Sequence, residues 1–532
     1  MLRRWLMAGF TIAVLLSVGP MPAHAQCAVA TDPCLTALDV TDIARGAATA
    51  VSSNMVIGIV DRGGNVLGVF NKNVALPLNV VGNFGRLVPA EDQAIGLART
   101  AAFFSNNQAP LSSRTVRFIS GIHFPPGVQN KPPAALYGIE NTNRGCSFNI
   151  AFNAGVPNIP RATSVVNAGN CMAGDTAACG TGIVTGKADL LDSNPFAVNP
   201  GGIPIFKRGQ LVGGIGVTAL PFEQAEFAAL VGSLALGNPL FGFGTIPFPG
   251  AVILDGIRLP FANNTSRPGG VAAGAFAGGF VVGPVASPYG AAQNFTAPSG
   301  YLVGPNASAL AGSPLTAPAV SAIVSRAIIQ AQKTRAAIRL PLGSPTKMVI
   351  SVGDADGTLL AVFRMPDATI FSIDVSVAKA RNAVYFSSVG RDPRDIPGVP
   401  RGTAVTARTI GFGAQPLFPA GIDDSRPGPF FVNFTRDVAT PCSQGFQATN
   451  ANQSGIVFFP GSIPLYSGST LIGGLGVSGD GVEQDDLVTA AGAGCPGCAS
   501  SFVAPLNIRA DRVVLGGVRL PFFKFPRNPE IR

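Results

Sequence analysis

Two pairs of segments repeat within this chain, each without a gap. Residues 55–70 read MVIGIVDRGGNVLGVF and residues 348–363 read MVISVGDADGTLLAVF, at a constant offset of 293. A second pair, residues 201–226 and 461–486, repeats at an offset of 260. This pattern indicates a tandem duplication, so each copy has to form the same set of elements. We therefore look for function first among the residues that both copies keep.

Length and composition limit the class of protein. At 532 residues the chain is too long for one ordinary domain, and its 47% of hydrophobic residues can fill two or three cores. Only 12% of residues are charged, and 66 glycines and 45 prolines predict many turns and long irregular loops. The net charge of +9 is spread along the chain without a basic stripe, which argues against nucleic-acid binding.

The first 25 residues have the pattern of a secretory signal peptide. Arg3 and Arg4 precede a short apolar core at 10–18, and Ala-His-Ala stands before Gln26. We expect a mature chain that starts at Gln26 and is exported to the periplasm or the extracellular space. No later segment offers 18 uninterrupted apolar residues, so we expect no membrane span.

All eight cysteines follow this leader. An even count in an exported chain favours disulfide bonds, and most of the connectivity stays open. Cys27–Cys34 and Cys495–Cys498 are the expected local pairs. The second pair is a C-x-x-C that follows a helix and precedes a strand, which favours a structural disulfide over a thioredoxin-like site.

The repeats divide the chain into three parts after the leader. We call residues 35–262 the first half and residues 319–524 the second half. Residues 263–318, rich in glycine, alanine and proline, are predicted to be a linker or an arm lying on one of the halves.

Within each half the same order of elements is expected. A helix with apolar spacing near 3.6 comes first, at 36–52 and at 320–336, followed by the repeated hairpin and by a second helix at 91–105 or 373–387. A second hairpin, a third helix and a last strand, VILDGIRLPF or VVLGGVRLPF, complete the half. This order predicts an α+β fold with about five antiparallel strands per half. We expect helices on one face of each sheet and a free second face.

Several short motifs in this order resemble those of the GlcG/HbpS-like family, which also occurs as the C-terminal domain of some corrinoid adenosyltransferases. They are Asp-x-x-Gly between strands, Ala-Arg-x-Ala on the next helix, Gly-x-Ile-Pro, Gly-x-[Ile/Leu]-Gly-Val, and Glu-Gln at a helix start. The resemblance implies two profilin-like domains, each an antiparallel sheet flanked by helices. It also implies haem or another small molecule as ligand, because several members bind haem, and assembly into oligomers.

Candidate ligand-binding residues follow from what haem requires: an apolar slot, an axial ligand and cations for its propionates. His123 is the one histidine of the mature chain and is a candidate axial ligand, although the second half has no histidine. Arginines that recur in both halves could bind a carboxylate or pair with a nearby acid; they are Arg99 with Arg381, on helices, and Arg117 with Arg408, the first on a predicted strand.

Acidic residues three positions apart begin the third helix of each half. These are Glu223 with Glu226, and Glu483 with Asp486. Such pairs resemble the iron-binding acidic motifs of some relatives and could hold a metal ion. The alternative is that they stabilise the helix dipole.

From these observations we expect an exported, non-catalytic protein that binds haem or a related tetrapyrrole. Two alternatives stay open: an auxiliary enzyme acting on small hydroxy- or keto-acids, and a structural or surface-interaction protein. We expect the two halves to pack as a pseudo-symmetric pair in place of the homodimer that single-domain relatives form, and assembly into a homo-oligomer stays open.

Overall fold

The computed structural model of the chain describes residues 26–160, 164, 166, 182–186, 199–243, 252–494 and 501–531. The predicted leader and the Cys495–Cys498 pair lie outside the described residues. The helices are α1 (Ala37–Ala50), α2 (Ala90–Phe104), α3 (Ser113–Phe118), α4 (Phe222–Ser233), α5 (Ala317–Lys333), α6 (Phe371–Ser387), α7 (Ala407–Gly413), α8 (Phe431–Ala439) and α9 (Val482–Ala493). Within the described ranges, no helix has the length and apolar character needed to cross a membrane.

Among the described residues, the strands form two five-stranded antiparallel sheets and three small hairpins. The strands are β1 (Met55–Asp61), β2 (Val66–Lys72), β3 (Asn79–Val81), β4 (Leu87–Pro89), β5 (Gly202–Lys207), β6 (Gln210–Thr218), β7 (Ile253–Leu254), β8 (Ile257–Arg258), β9 (Gly279–Val282), β10 (Gly300–Val303), β11 (Val349–Asp354), β12 (Leu359–Arg364), β13 (Ser462–Ser467), β14 (Thr470–Ser478), β15 (Val514–Leu515) and β16 (Val518–Arg519). The first sheet has the order β5-β6-β1-β2-β9, and the second has the order β13-β14-β11-β12-β10. The α+β fold class predicted from the sequence is confirmed.

The two sheets share the register of their central strands. In the first sheet β1 pairs with β6 so that Val56 lies opposite Thr218. In the second sheet β11 pairs with β14 so that Val349 lies opposite Ser478. These residues differ by the 293 and 260 positions that separate the repeated segments, so equivalent residues take equivalent places.

Helices cover both faces of each sheet, and the expectation of one free face is wrong. Met55, Ile57 and Ile59 of β1 pack in the cluster that contains α1 and α4, whereas Val56 and Val60 pack in the cluster that contains α2. Every residue of β1 is buried. A nearly continuous apolar run such as MVIGIV is typical of a strand buried on both faces.

Glycines in β6 allow helix α2 to lie close against the first sheet. A Cβ on Gly214 would lie 2.2 Å from the carbonyl oxygen of Ala98, and one on Gly216 would lie 1.9 Å from that of Ala94. No side chain fits at these distances. The repeated Gly-Gly-x-Gly motif therefore serves backbone packing between helix and sheet.

The segment predicted to be a linker supplies an edge strand to each sheet. Strand β9 pairs with β2 and strand β10 pairs with β12, with Phe280 opposite Phe70 and Tyr301 opposite Phe363. The two strands belong to a short repeat, GFVVGPVAS at 279–287 and GYLVGPNAS at 300–308. The linker is thus part of both sheets.

The predicted last strand of each half does not join its sheet, which corrects that expectation. VILDGIRLPF contains the two-residue hairpin β7–β8, in which Asp255 and Gly256 have φ values of 50° and 79°. VVLGGVRLPF contains β15–β16, with positive φ at Gly516 and Gly517. Positive φ at two consecutive residues is typical of a tight hairpin turn, which reverses the chain before a long strand can form.

Several contacts join the two halves. A disulfide bond links Cys146 to Cys442, and the rings of Phe104 and Phe371 stack with centroids 4.0 Å apart. The core on the α2 side of the first sheet is continuous with the core of the second half. The predicted Cys27–Cys34 bond is also present, at the start of the described chain.

Candidate ligand-binding site

A cavity of about 1010 Å³ lies at the β13 edge of the second sheet. Its walls come from β13, from the end of α9 and from the C-terminal segment 501–525. Most of the lining is aliphatic or aromatic, and the polar side chains are few. The side chains that characterise it are Ile463, Tyr466, Ser501, Leu506, Arg509, Asp511, Arg519, Leu520, Phe522, Phe523 and Phe525.

Tyr466 contributes the one phenol among the described lining residues. It lies near the end of β13, and its backbone N–H donates to the carbonyl of Phe502 at 2.9 Å. This bond holds the strand edge against the C-terminal segment. Only 3% of the residue is exposed, and burial raises the pKa of the phenol to about 12.

Two arginines and one aspartate form the charged part of the lining. Arg509 donates to both carboxylate oxygens of Asp511, at 2.7 and 3.2 Å, and its guanidinium lies 4.2 Å from the centroid of the Phe522 ring. Arg519, on β16, is exposed and donates from Nε to the backbone carbonyl of Asp511 at 2.6 Å. Two guanidinium groups therefore lie beside an apolar cavity, an arrangement suited to a ligand that carries carboxylates.

The equivalent place in the first half is filled by a side chain of the chain itself. Phe206 pairs with Leu211 in the first sheet as Tyr466 pairs with Leu471 in the second. The ring of Phe243 lies 5.5 Å from that of Phe206 and 5.4 Å from that of Phe261, which is the first-half counterpart of Phe522. Phe243 thus occupies the space between two positions whose counterparts line the cavity.

Arg99 and Arg381 hold equivalent hairpin turns. Arg99 donates to the carbonyl of Gly64 at 3.0 and 3.2 Å, and Arg381 donates to the carbonyl of Gly357 at 3.0 Å. Burial lowers the pKa of Arg99 to about 10. Arg381 also donates to the Phe148 carbonyl of the first half at 2.7 Å. Neither arginine lines the cavity, and both support the framework.

Arg117 lies in helix α3, so the predicted strand at this position is wrong. The counterpart of Arg408 is Arg114, which the sequence analysis missed. The N-caps of α3 and α7, Ser112 and Thr406, each begin a capping box, and an arginine follows each N-cap by two positions. Comparing SSRT at 112–115 with TART at 406–409 could have revealed the correct pair.

The second acid of each candidate metal pair, Glu226 or Asp486, forms an ion pair with Arg114 or Arg408. Arg114 Nε lies 2.6 Å from Glu226 Oε1, and Arg408 Nε lies 2.5 Å from Asp486 Oδ2. Glu226 also accepts from the backbone N–H of Asn263 at 2.9 Å. In the second half the backbone N–H of Lys524 donates to Asp486 at 3.1 Å. These contacts tie the segment that follows each LPF motif to α4 in the first half and to α9 in the second.

The first acid of each pair, Glu223 or Glu483, does not join the second acid in a metal-binding group. Glu223 is exposed, and Glu483 forms an ion pair with Lys524. Across the part of the chain that the structure describes, no group of three or more histidine, cysteine, aspartate or glutamate residues is placed to hold a metal ion.

His123 is buried at the contact between the halves and does not line the cavity. Its Nε2 lies 2.8 Å from Oδ1 of Asp423 in the second half. The other carboxylate oxygen of Asp423 accepts from the backbone N–H of Asn130 at 3.0 Å. The hydrogen bonds from Asn130 and His123 lower the pKa of Asp423.

Equivalent aspartates in the hairpin turns bind equivalent serines of the linker. Ser287 donates to Asp61 at 2.9 Å, and Ser308 donates to Asp354 at 3.1 Å. Burial raises the pKa of Asp61 to about 6. Burial, with a contribution from Asp356, raises that of Asp354 to about 7.

Fold and site together define an α+β protein with helix-covered antiparallel sheets and an apolar cavity lined in part by arginines. Residues 319–494, which include Tyr466, match the family described as "Haem degrading protein HbpS-like". This match confirms, for residues 319–494, the GlcG/HbpS-like family recognised from the sequence.

Individual proteins with similarity to the chain cover about a third of it. Corrinoid adenosyltransferase PduO of Salmonella typhimurium is 27% identical over 154 residues, which span 29% of this chain and 33% of that protein. Among solved structures, Klebsiella pneumoniae ORFY, of the family DUF336, is 20% identical over 33% of this chain and 85% of its own, with a TM-score of 0.22. The PduOC:heme complex is 24% identical over 35% of this chain and 96% of its own, with a TM-score of 0.20.

Proposed function

We propose that the second half binds one haem or related tetrapyrrole in the cavity beside β13, without catalysing a reaction on it. The cavity carries this proposal. Its volume of about 1010 Å³ lies at the upper end of small-molecule sites, and its lining is mostly apolar with few polar groups. The family description, which names haem, matches the residues that contain Tyr466.

The lining residues fit the chemistry of the group. A tetrapyrrole presents a flat apolar ring, which Phe522, Phe523 and Leu506 could contact, and it carries carboxylates at one edge. Arg519 is exposed beside the cavity and could pair with such a carboxylate. Bound haem would supply an iron centre, and the protein would supply the apolar slot and the cation.

We propose that one ligand binds per chain, because Phe243 fills the equivalent space in the first half. The first half would then act as a partner that supports the second, through the Cys146–Cys442 bond and the shared core. In this proposal each half is a profilin-like domain, and the two form a pseudo-symmetric pair.

We also propose that the protein is exported. The two disulfide bonds among the described residues support this proposal, because such bonds persist mainly in oxidising compartments. Expression with residues 1–25 intact, followed by fractionation and determination of the mature N-terminus, tests it. Cleavage before Gln26 is expected, and an uncleaved cytoplasmic product would contradict it.

A titration of the mature protein with haemin tests the binding proposal. We expect a saturable shift of the Soret band in the wild type. Val503 lines the cavity, so Val503→Phe should block it and raise the Kd by about 100-fold or more. The matched control is Val281→Phe on the exposed face of β9, which should bind like the wild type. Absence of a shift in the wild type, or equal binding by Val503→Phe, would contradict the proposal.

A further inference from the structure

We infer that Tyr466 is a ligand of the iron, so that the cavity binds ferric tetrapyrrole more tightly than ferrous or iron-free tetrapyrrole. This inference rests on the proposed function. It adds the oxidation state of the iron in the bound tetrapyrrole and names the protein atom that binds this iron. The phenolic oxygen of Tyr466 would hold the iron, while the aromatic walls and Arg519 would hold the rest of the molecule.

The chemistry of the lining singles out this side chain. Proteins bind haem iron through histidine, cysteine, methionine or tyrosine. Among the described residues that line the cavity, only Tyr466 is of one of these types. The carboxylate of Asp511 is engaged by Arg509, and His123 belongs to the contact between the halves.

The fold fixes Tyr466 in place. Its backbone is held on one side by the pairing of β13 with β14 and on the other by the hydrogen bond to Phe502. An iron-binding side chain on a rigid strand keeps its position better than one on a loop. The first half has Phe206 at this position, so the phenolic oxygen is present at this position in the second half alone.

The bond formation balances without a further reactant. An Fe–O bond would form as the phenolic O–H bond breaks, the proton would leave to solvent, and the iron would release a bound water or chloride. The iron stays ferric throughout. An anionic oxygen is a hard ligand and stabilises Fe(III) more than Fe(II), so reduction of the iron should weaken the complex.

The test compares haemin with iron-free protoporphyrin in the wild type and in Tyr466→Phe. We expect the wild type to bind both, with haemin about tenfold tighter or more. Tyr466→Phe should keep its protoporphyrin affinity and lose both the advantage for haemin and the visible charge-transfer band of an iron phenolate. Tyr301→Phe, on the linker strand β10, is the matched control and should match the wild type with both ligands.

The outcomes separate this inference from the proposed function. Unchanged haemin affinity and spectrum in Tyr466→Phe, with protoporphyrin still bound, would overturn the role of Tyr466 and leave cavity binding intact. A wild type that binds neither ligand would overturn both. Dithionite adds a second measurement: the ferrous complex should dissociate about tenfold more readily in the wild type, and equal retention of both iron states would also contradict the inference.

Discussion

The two halves of the chain have the same sheet order and the same strand register, yet they differ at the sheet edge formed by β5 or β13. In the first half Phe206, Phe243 and Phe261 pack together beside the sheet edge. In the second half Tyr466 and Phe522, at the corresponding positions, line a cavity. A shared scaffold can therefore carry a site in one half and a filled core in the other. In a chain with two similar halves, the ligand site is therefore better sought where the halves diverge than where they agree.

The largest expected effect concerns the bond that joins the halves. Cys146 and Cys442 are 296 positions apart, whereas Cys27 and Cys34 are 7 apart. Because the entropy removed from the unfolded chain grows with loop length, replacing Cys146 and Cys442 by serine should lower the free energy of unfolding by about 5 kcal/mol. The same change at Cys27 and Cys34 should cost about 2–3 kcal/mol.

Urea unfolding of both double variants measures this difference. The variant without the long-range bond should have the lower midpoint. Equal midpoints would mean that the packed core alone holds the halves together and that the bond adds little.

The second prediction reverses the difference between the halves. Phe243→Ala removes the ring that fills the first half, and Phe206→Tyr adds the phenol that the second half has. We expect the double variant to bind a second haemin per chain, measured by titration to saturation. Phe206→Tyr alone should still bind one, because Phe243 remains. A double variant that folds and still binds one would show that more than these two side chains separates the halves.

The third prediction uses the two arginines that directly precede the repeated LPF motifs. Arg519 lines the cavity, and Arg258 takes the equivalent position in the first half. Arg519→Ala should weaken haemin binding about tenfold through loss of a charge-assisted hydrogen bond to a propionate. Arg258→Ala should leave the Kd unchanged. Equal effects of the two substitutions would place the ligand elsewhere.

The smallest expected effect is on pH dependence. The folded-state pKa values of Asp61 and Asp354, about 6 and about 7, exceed the ordinary value of 3.8. The folded protein then keeps protons that the unfolded chain loses, so this stabilisation is full below pH 3.8 and is lost as pH rises through 6 and 7.

Chemical denaturation at a series of pH values checks this expectation. Asp61→Asn should flatten the stability profile up to about pH 6, and Asp354→Asn should flatten it up to about pH 7. The change should be modest, because Asp61 accepts four hydrogen bonds that favour its charged form. A free energy of unfolding that rises with pH over this range would contradict the expected direction of the change.

The sequence predicted the longer helices of each half and the central hairpins closely because their apolar patterns are long and regular. The segment predicted at 36–52 contains Ala37–Ala50, and the one at 91–105 nearly coincides with Ala90–Phe104. The edge strands were missed because GFVV and GYLV are four-residue strands within a glycine- and proline-rich segment. Only the short repeat that contains them could have revealed them.

The cavity could not be predicted because its walls come from β13 and from a C-terminal segment about 35 to 60 positions later. The search for residues kept in both halves also led away from it. That search led to Arg99, Arg381, Arg408, Glu226 and Asp486. The side chains of these residues bind backbone carbonyls or form ion pairs with neighbouring residues. The one residue that distinguishes the site, Tyr466, stands in the repeat GSIPLY opposite the phenylalanine of GGIPIF.

The central claim is that one half binds the ligand and the other does not. Native mass spectrometry of the mature protein with excess haemin measures the stoichiometry of the folded chain directly. We expect one haem per chain in the wild type and none in Val503→Phe. Two per chain in the wild type, or one retained in Val503→Phe, would contradict the claim.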